Sequence, residues 1–125
     1  MTESRRALGT RGEEAIAFYL EGMGYRIAAR QYRTANGEID LVAEDGDEVV
    51  FVEVKTRRGT TFGFPEESVT DSKRQKIAAT GQRFLEERGW TNRPFRIDVV
   101  SLLLGSSTGD AIQHFRGIDA PKGNW

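Results

Sequence analysis

Gly37-Glu38-Ile39-Asp40-Leu41-Val42-Ala43, then Glu44-Asp45-Gly46-Asp47-Glu48, then Val49-Val50-Phe51-Val52-Glu53-Val54-Lys55-Thr56 is the stretch that decides the fold of this chain. Its flanks carry the apolar, largely β-branched character of strands, and its middle carries Asp-Gly, a strong hairpin signal. Alternation predicts Ile39 and Leu41 on one face of a sheet and Glu38, Asp40 and Val42 on the other. With Asp45 and Gly46 as the two loop residues, Glu44 pairs with Asp47, Asp40 lies opposite Phe51, and Glu38 opposite Glu53. Opposed residues share a face, so Glu38, Asp40, Glu53 and Lys55 are expected on one side. Asp40 and Glu53 become diagonal neighbours, about 7–8 Å apart at the backbone. An odd-length loop without a bulge would separate them.

Two carboxylates about 6 Å apart repel by roughly 3 kcal/mol at an effective dielectric near 20, and Glu38 adds to the strain. A hairpin of Ile39, Leu41, Val50, Val52 and Val54 does not collect such charge for stability. A hard divalent cation, Mg²⁺ or Mn²⁺, relieves it with oxygen ligands. Lys55 then places an ammonium where it can orient an attacking water and stabilise charge developing on a phosphoryl group. Glu53-Val54-Lys55 alone also fits a solvated strand face with an ion pair worth about 0.2–1 kcal/mol. The preceding Asp40, brought back by a short turn, tips the reading towards a metal site.

Outward from the hairpin, the periodicity predicts a helix over Ser4–Met23, with Leu8, Ile16, Leu20 and Met23 inward and Gly24 as its stop. A strand is expected over Tyr25–Tyr32, the hairpin strands over Gly37–Ala43 and Val49–Thr56, and a loop over Gly59–Thr70. A second helix follows over Ser72–Arg88, with Ile77, Phe84 and Leu85 inward, then strands over Phe95–Leu104 and Ala111–Phe115. The order αβββαββ predicts an α/β fold with one mixed sheet of about five strands flanked by two helices. Residues 1–117 form one domain in this reading, and 118–125 a loose tail whose Trp125 could dock.

The 125 residues, 30% charged and 38% hydrophobic, suit a single globular domain. The absence of cysteine excludes disulfides and thiolate chemistry and makes a reducing cytoplasm the expected home. No apolar run suits a membrane span or signal segment, so no membrane partner is expected. His114 is the sole histidine, which excludes a multi-histidine zinc site. Gly9, Gly12, Gly22 and Gly24 follow no strand and make no phosphate-binding fingerprint. The net charge of −1 gives no global basic footprint, so any nucleic-acid surface must be local. Arg57 and Arg58, directly after the third strand, and Lys73, Arg74 and Lys76, opening the second helix, are the candidates to hold backbone phosphates. Asp98 is expected in a structural, strand-end role, with a metal-ligand role as the lesser alternative.

The runs 37–43 and 50–57 resemble the bacterial YraN family, also called UPF0102, of predicted endonucleases. That family is grouped with the PD-(D/E)XK, or restriction-endonuclease-like, superfamily and is similar to archaeal Holliday-junction resolvases. The likeness extends to Gly12-Glu13, to Lys73 and Lys76, and to Arg96-Ile97-Asp98-Val99-Val100. Ile39 stands where the wider superfamily has proline, as is usual in this family. The resemblance implies a metal held by Asp40, Glu53 and the Val54 carbonyl, Lys55 as catalytic lysine, and Glu13 as a helix-borne carboxylate completing the site. Glu13 falls on the inward stripe with Gly9, Ile16 and Leu20, whereas Glu14 faces out. Glu38 is either an outer support of the metal or a bystander. The expected activity is Mg²⁺- or Mn²⁺-dependent hydrolysis of DNA phosphodiesters, selective for branched or single-strand-containing structures. RNA remains an open substrate, and a homodimer would suit paired cuts. The alternative is a non-catalytic nucleic-acid-binding or scaffold domain that keeps the nuclease fold.

Overall fold

The computed structural model describes residues 5–58, 69–106 and 109–118. Its elements are α1 (Arg5–Gly22), β1 (Arg26–Thr34), β2 (Gly37–Asp45), β3 (Glu48–Arg58), α2 (Asp71–Arg88), β4 (Phe95–Ser106) and β5 (Gly109–Phe115). The strands form one sheet in the order β1-β2-β3-β4-β5. β3 and β4 run parallel and the other neighbours antiparallel. A parallel pair needs a long crossover, and α2 lies within the one between β3 and β4. The α/β class, the mixed five-stranded sheet and the element order are those the sequence predicts.

The helices take opposite faces of the sheet. Ile16, Ala17 and Leu20 of α1 pack on Leu41, Ala43, Val50, Val52, Val100 and Leu102, all buried. Ile77, Phe84 and Leu85 of α2 pack on Val42, Val49, Phe51, Ile97 and Val99. Two glycines permit close approach: a Cβ at Gly12 would overlap the Thr56 side chain of β3, and one at Gly81 would overlap the Phe51 ring. Gly12 thereby sets the height of α1, and of Glu13, above the sheet. The start of α2 is fixed by Thr70, whose hydroxyl accepts the Lys73 N–H at 3.1 Å. Its end is fixed by Gly89 in the left-handed region. Met23, expected inward, is 38% exposed, because α1 ends at Gly22 and the chain turns there.

The hairpin differs in detail from its prediction. Asp45 pairs with Glu48, so the loop is Gly46-Asp47, one residue later than expected. Gly46 takes φ 61° at the first loop position, where a II′-type turn favours glycine. The ladder therefore moves by an even number of places, and facing is preserved. The paired ladder ends at Leu41 and Val52, immediately before Asp40 on β2 and Glu53 on β3.

A second departure lies in β2. Leu41 packs on the α1 side but Ile39 joins the α2-side cluster, so the predicted alternation breaks between them. The break sits at Asp40. On β1 the residue between the partners of Leu41 and Ile39 is Gln31, the one described non-glycine residue with positive φ, 49°. Gln31 thus lies across from Asp40, while the register irregularity of β1 falls earlier, between Ile27 and Ala29. At the chain end, Ile118 donates its N–H to the Ile97 carbonyl at 2.8 Å. The rest of the expected tail, Trp125 included, lies outside the described residues.

Candidate active site

Beyond Leu41 and Val52 the β2–β3 ladder gives way to a side-chain bond. The Asp40 carboxylate accepts the Val54 N–H at 2.8 Å, through Oδ2. Glu53, on the α2 face and buried, receives two ammonium groups: Lys73 Nζ at 2.6 Å and Lys55 Nζ at 3.5 Å. Glu13 leans in from α1, its Oε2 taking the Gln31 amide at 3.0 Å, while Glu14 faces out as expected. Five elements, α1, β1, β2, β3 and α2, thus meet where β2 and β3 part.

The electrostatics report the crowding. Asp40 is raised from 3.8 to about 7, first by burial and then by the charge of Glu53, with Glu13 and Glu38 adding. The Val54 N–H opposes this without cancelling it. Burial likewise raises Glu13, partly offset by its bond from Gln31. Lys55 is lowered, mainly by burial and also by the neighbouring Lys73. Lys73 resists burial and is raised by its contact with Glu53. Asp40, Glu53 and Glu13 thus gather around one shared pair of lysines, Lys55 and Lys73.

Not every expected residue joins it. Glu38 lies within electrostatic reach of Asp40 but is ion-paired outward to Arg33 at 3.2 Å. Arg74, expected on phosphate, is only 17% exposed; its guanidinium bonds Asp71 and, at 2.8 Å, the Ile118 carbonyl. It straps the first turn of α2 to the end of the described chain. Lys73 stands inside the site rather than beside it. Lys76 is exposed on α2 and Arg57 is half-buried at the end of β3, whereas the Arg58 side chain lies outside the described residues. Two participants were missed from sequence: Gln31, which no motif marks, and the reach of Lys73 to Glu53. The Thr70-x-x-Lys73 cap was a usable signal for the latter, since it fixes the first turn of the helix.

Asp98 is structural, as expected. It is fully buried, salt-bridged to Arg96 at 3.0 Å, paired with His114 Nε2 at 2.7 Å, and accepts the Gly117 N–H at 2.9 Å. Arg96 continues to Asp45, Glu48 and the Tyr25 hydroxyl, and His114 to the Tyr19 hydroxyl.

The fit of a divalent cation can be judged from the donors. Among the described residues no three carboxylate or histidine side chains converge as a ready-made ligand set. Mg²⁺ sites commonly use only one or two carboxylates, and Asp40 and Glu53 with the Val54 carbonyl meet that requirement. Burial and the repulsion from Glu53, which together lift Asp40 to about 7, are what a cation would offset. The donor set fits.

Residues 12–102 match the uncharacterised protein family UPF0102. The chain belongs to that family. It is 43% identical to a UPF0102 protein of Moorella thermoacetica over 123 residues, 98% of each chain. It is 42% identical to one of Nocardia farcinica, over 91% of this chain and 90% of the other. A UPF0102 protein of Symbiobacterium thermophilum is 47% identical over 78% of this chain and 82% of its own. The match to UPF0102 spans Glu13, Asp40, Glu53, Lys55 and Lys73 and stops short of His114. No helix among the described residues is long and apolar enough to cross a membrane.

Proposed function

We propose that this UPF0102 protein is a metal-dependent phosphodiesterase acting on DNA. The observation carrying this reading is Asp40: a half-buried carboxylate raised to about 7 by burial and by the charge of Glu53, with Lys55 paired to Glu53. Asp40, Glu53 and the Val54 carbonyl would hold Mg²⁺ or Mn²⁺, with Glu13 behind them. Such a cation supplies Lewis-acid activation of water and neutralises charge on a leaving oxygen.

The chain's own groups account for the rest. The bond from Val54 N–H to Asp40 Oδ2 fixes the carboxylate against β3, one residue from Glu53 and from Lys55. Lys55, lowered by burial, can hold or release a proton at Nζ more readily than an exposed lysine, which suits orienting an attacking water. Lys73 offers a second ammonium that can leave Glu53 for a phosphate oxygen. Lys76 and Arg57 supply backbone contacts without reading sequence, consistent with selection of branched or single-strand-containing DNA. A homodimer would set two sites for paired cuts.

The rival, a non-catalytic nucleic-acid-binding domain, draws on the missing three-ligand convergence. A cleavage assay separates the two, using linear, nicked, single-stranded and four-way-junction DNA with Mg²⁺ or Mn²⁺. Lys55→Ala should lower the rate by at least about 100-fold. Absence of metal-dependent cleavage on every substrate, or equal rates for the variant, sinks the enzyme reading.

A further inference from the structure

We propose that Gln31 is a positioning residue of the candidate active site, its amide holding the Glu13 carboxylate in the orientation a divalent cation needs. For the cation the proposal rests on the phosphodiesterase reading. Gln31 is the one non-glycine residue with positive φ among those described, 49°, and it sits in the interior of β1. An L-residue in that region crowds its Cβ against the following carbonyl, and glycine, asparagine and aspartate take it with least strain. Glutamine is not among them. The strand register gives no reason for the strain. Arg30 and Tyr32, on either side, keep their pairs with Leu41 and Ile39, and the irregularity of β1 lies between Ile27 and Ala29.

What accompanies the strained backbone is a contact to α1. The Gln31 amide donates to Glu13 Oε2 at 3.0 Å. The bond is exposed, so water competes for both of its ends and it adds little to the stability of the fold. Strain retained beside a contact of little structural value points to function. Glycine or asparagine would ease the backbone, but glycine has no side-chain amide and that of asparagine is one methylene shorter. The long amide and the left-handed backbone are kept together.

The bond complements a second constraint on the same residue. Gly12 lets α1 close onto Thr56 of β3 and so sets the height of Glu13. Gln31 then fixes the far end of that side chain, and with Oε2 engaged, Oε1 is the oxygen left for the cation or a water it carries. Asp40 is held in the same manner by the Val54 N–H, and Glu53 by Lys55 and Lys73. Glu13, on a long helix-borne side chain, needs such a partner most. The amide also favours the charged carboxylate that a cation requires, against the burial that opposes it. Being neutral, it does so without repelling the cation.

The test is calorimetric titration with Mn²⁺, without DNA, beside urea unfolding. Gln31→Gly removes both the amide and the strain. It should weaken Mn²⁺ binding about 10-fold, with an unfolding midpoint no lower than that of wild type. Gln31→Met keeps the length but has no donor, and should lose the same affinity. In a Glu13→Gln background, Gln31→Gly should change affinity less than about twofold, because the contact acts through that carboxylate. Affinities within about twofold of wild type in both single variants, or an equal loss in the Glu13→Gln background, overturn the role. A midpoint that falls with the affinity makes the contact structural and overturns it as well. No binding of Mn²⁺ by wild type overturns the role together with the cation site. DNA cleavage assayed in parallel separates the role from the enzyme reading. Affinity lost at Gln31 without cleavage by any form supports positioning and overturns the nuclease; cleavage with affinity unchanged at Gln31 overturns positioning alone.

Discussion

Two aspartates on central strands of one sheet sit in opposite electrostatic worlds. Asp98 is fully buried, yet its pKa is lowered: burial pushes it up, but bonds from His114, Arg96 and Gly117 outweigh that. Asp40 is pushed to about 7 first by burial and then by Glu53, Glu13 and Glu38, which carry its own sign, and the opposing Val54 N–H and Lys73 charge do not prevail. The first cluster satisfies its charges internally and asks nothing of the solvent. In the second, an imbalance is held in place by a folded scaffold, which is the usual physical mark of a functional site. Burial alone therefore does not distinguish structure from function here; the sign of the surroundings does.

The largest expected effect comes from breaking the balanced cluster. Asp98→Ala leaves Arg96, only 14% exposed, without its one fully buried counter-charge, and removes the acceptor for His114 and Gly117. Breaking a buried pair by deleting one partner costs about 3–5 kcal/mol. Urea unfolding should show a loss of that order, with intact binding of divalent cations in whatever fraction remains folded. A loss below about 1 kcal/mol would place Asp98 outside the stabilising network.

Next in size is the response of the unbalanced cluster to a cation. Mn²⁺ at 100 times its dissociation constant should stabilise the protein by about 2.7 kcal/mol, read as a rise in thermal midpoint at pH 8. Asp40→Asn should abolish that rise, and Asp98→Ala should keep it. An equal rise in wild type and Asp40→Asn would locate the cation elsewhere.

Without metal, Asp40→Asn is itself informative. A carboxyl held at about 7, against 3.8 when free, binds protons more tightly folded than unfolded. Its contribution to stability therefore falls as pH rises from about 4 to about 7. Asp98 runs the other way: its lowered pKa gives stability above the ordinary carboxylate range that is lost as pH drops through the folded value. Asp40→Asn, which still offers an oxygen to Val54, should flatten the first trend and gain about 1–2 kcal/mol at pH 8. Denaturation midpoints between pH 5 and 8 that coincide in slope for wild type and variant would remove the charge imbalance from the account.

The unequal clusters were also unequally legible. Hydrophobic alternation and the Asp-Gly signal revealed the hairpin, and with it Asp40, Glu53 and Lys55 on strands that meet. A one-residue error in the turn did no harm, because the slip kept side chains on their faces. Nothing local marked Gln31, with its positive φ across from Asp40, or the bond it gives Glu13. The balanced network was legible only as a guess at Asp98, since Arg96 reaches Tyr25 and Asp45 across 71 and 51 residues. The same holds for the strap that Arg74 makes: the carbonyl it holds, Ile118, lies 44 residues away. Local patterns report which face a residue takes, while partners gathered by the fold decide what its charge is for.

Glu38 marks the edge of the comparison and should give the smallest effect. It raises Asp40 by its charge, but its own carboxylate turns outward to Arg33 and its side chain is 38% exposed. An exposed ion pair of this kind contributes about 0–1 kcal/mol, and removing it also relieves some repulsion at Asp40, so the two changes oppose each other. Glu38→Gln should thus leave stability within about 0.5 kcal/mol of wild type. Mn²⁺ affinity, measured by calorimetry, should change less than about threefold, since a carboxylate engaged with Arg33 is not a direct ligand. A tenfold loss, about 1.4 kcal/mol, would move Glu38 from the rim of the unbalanced cluster into the metal's own shell.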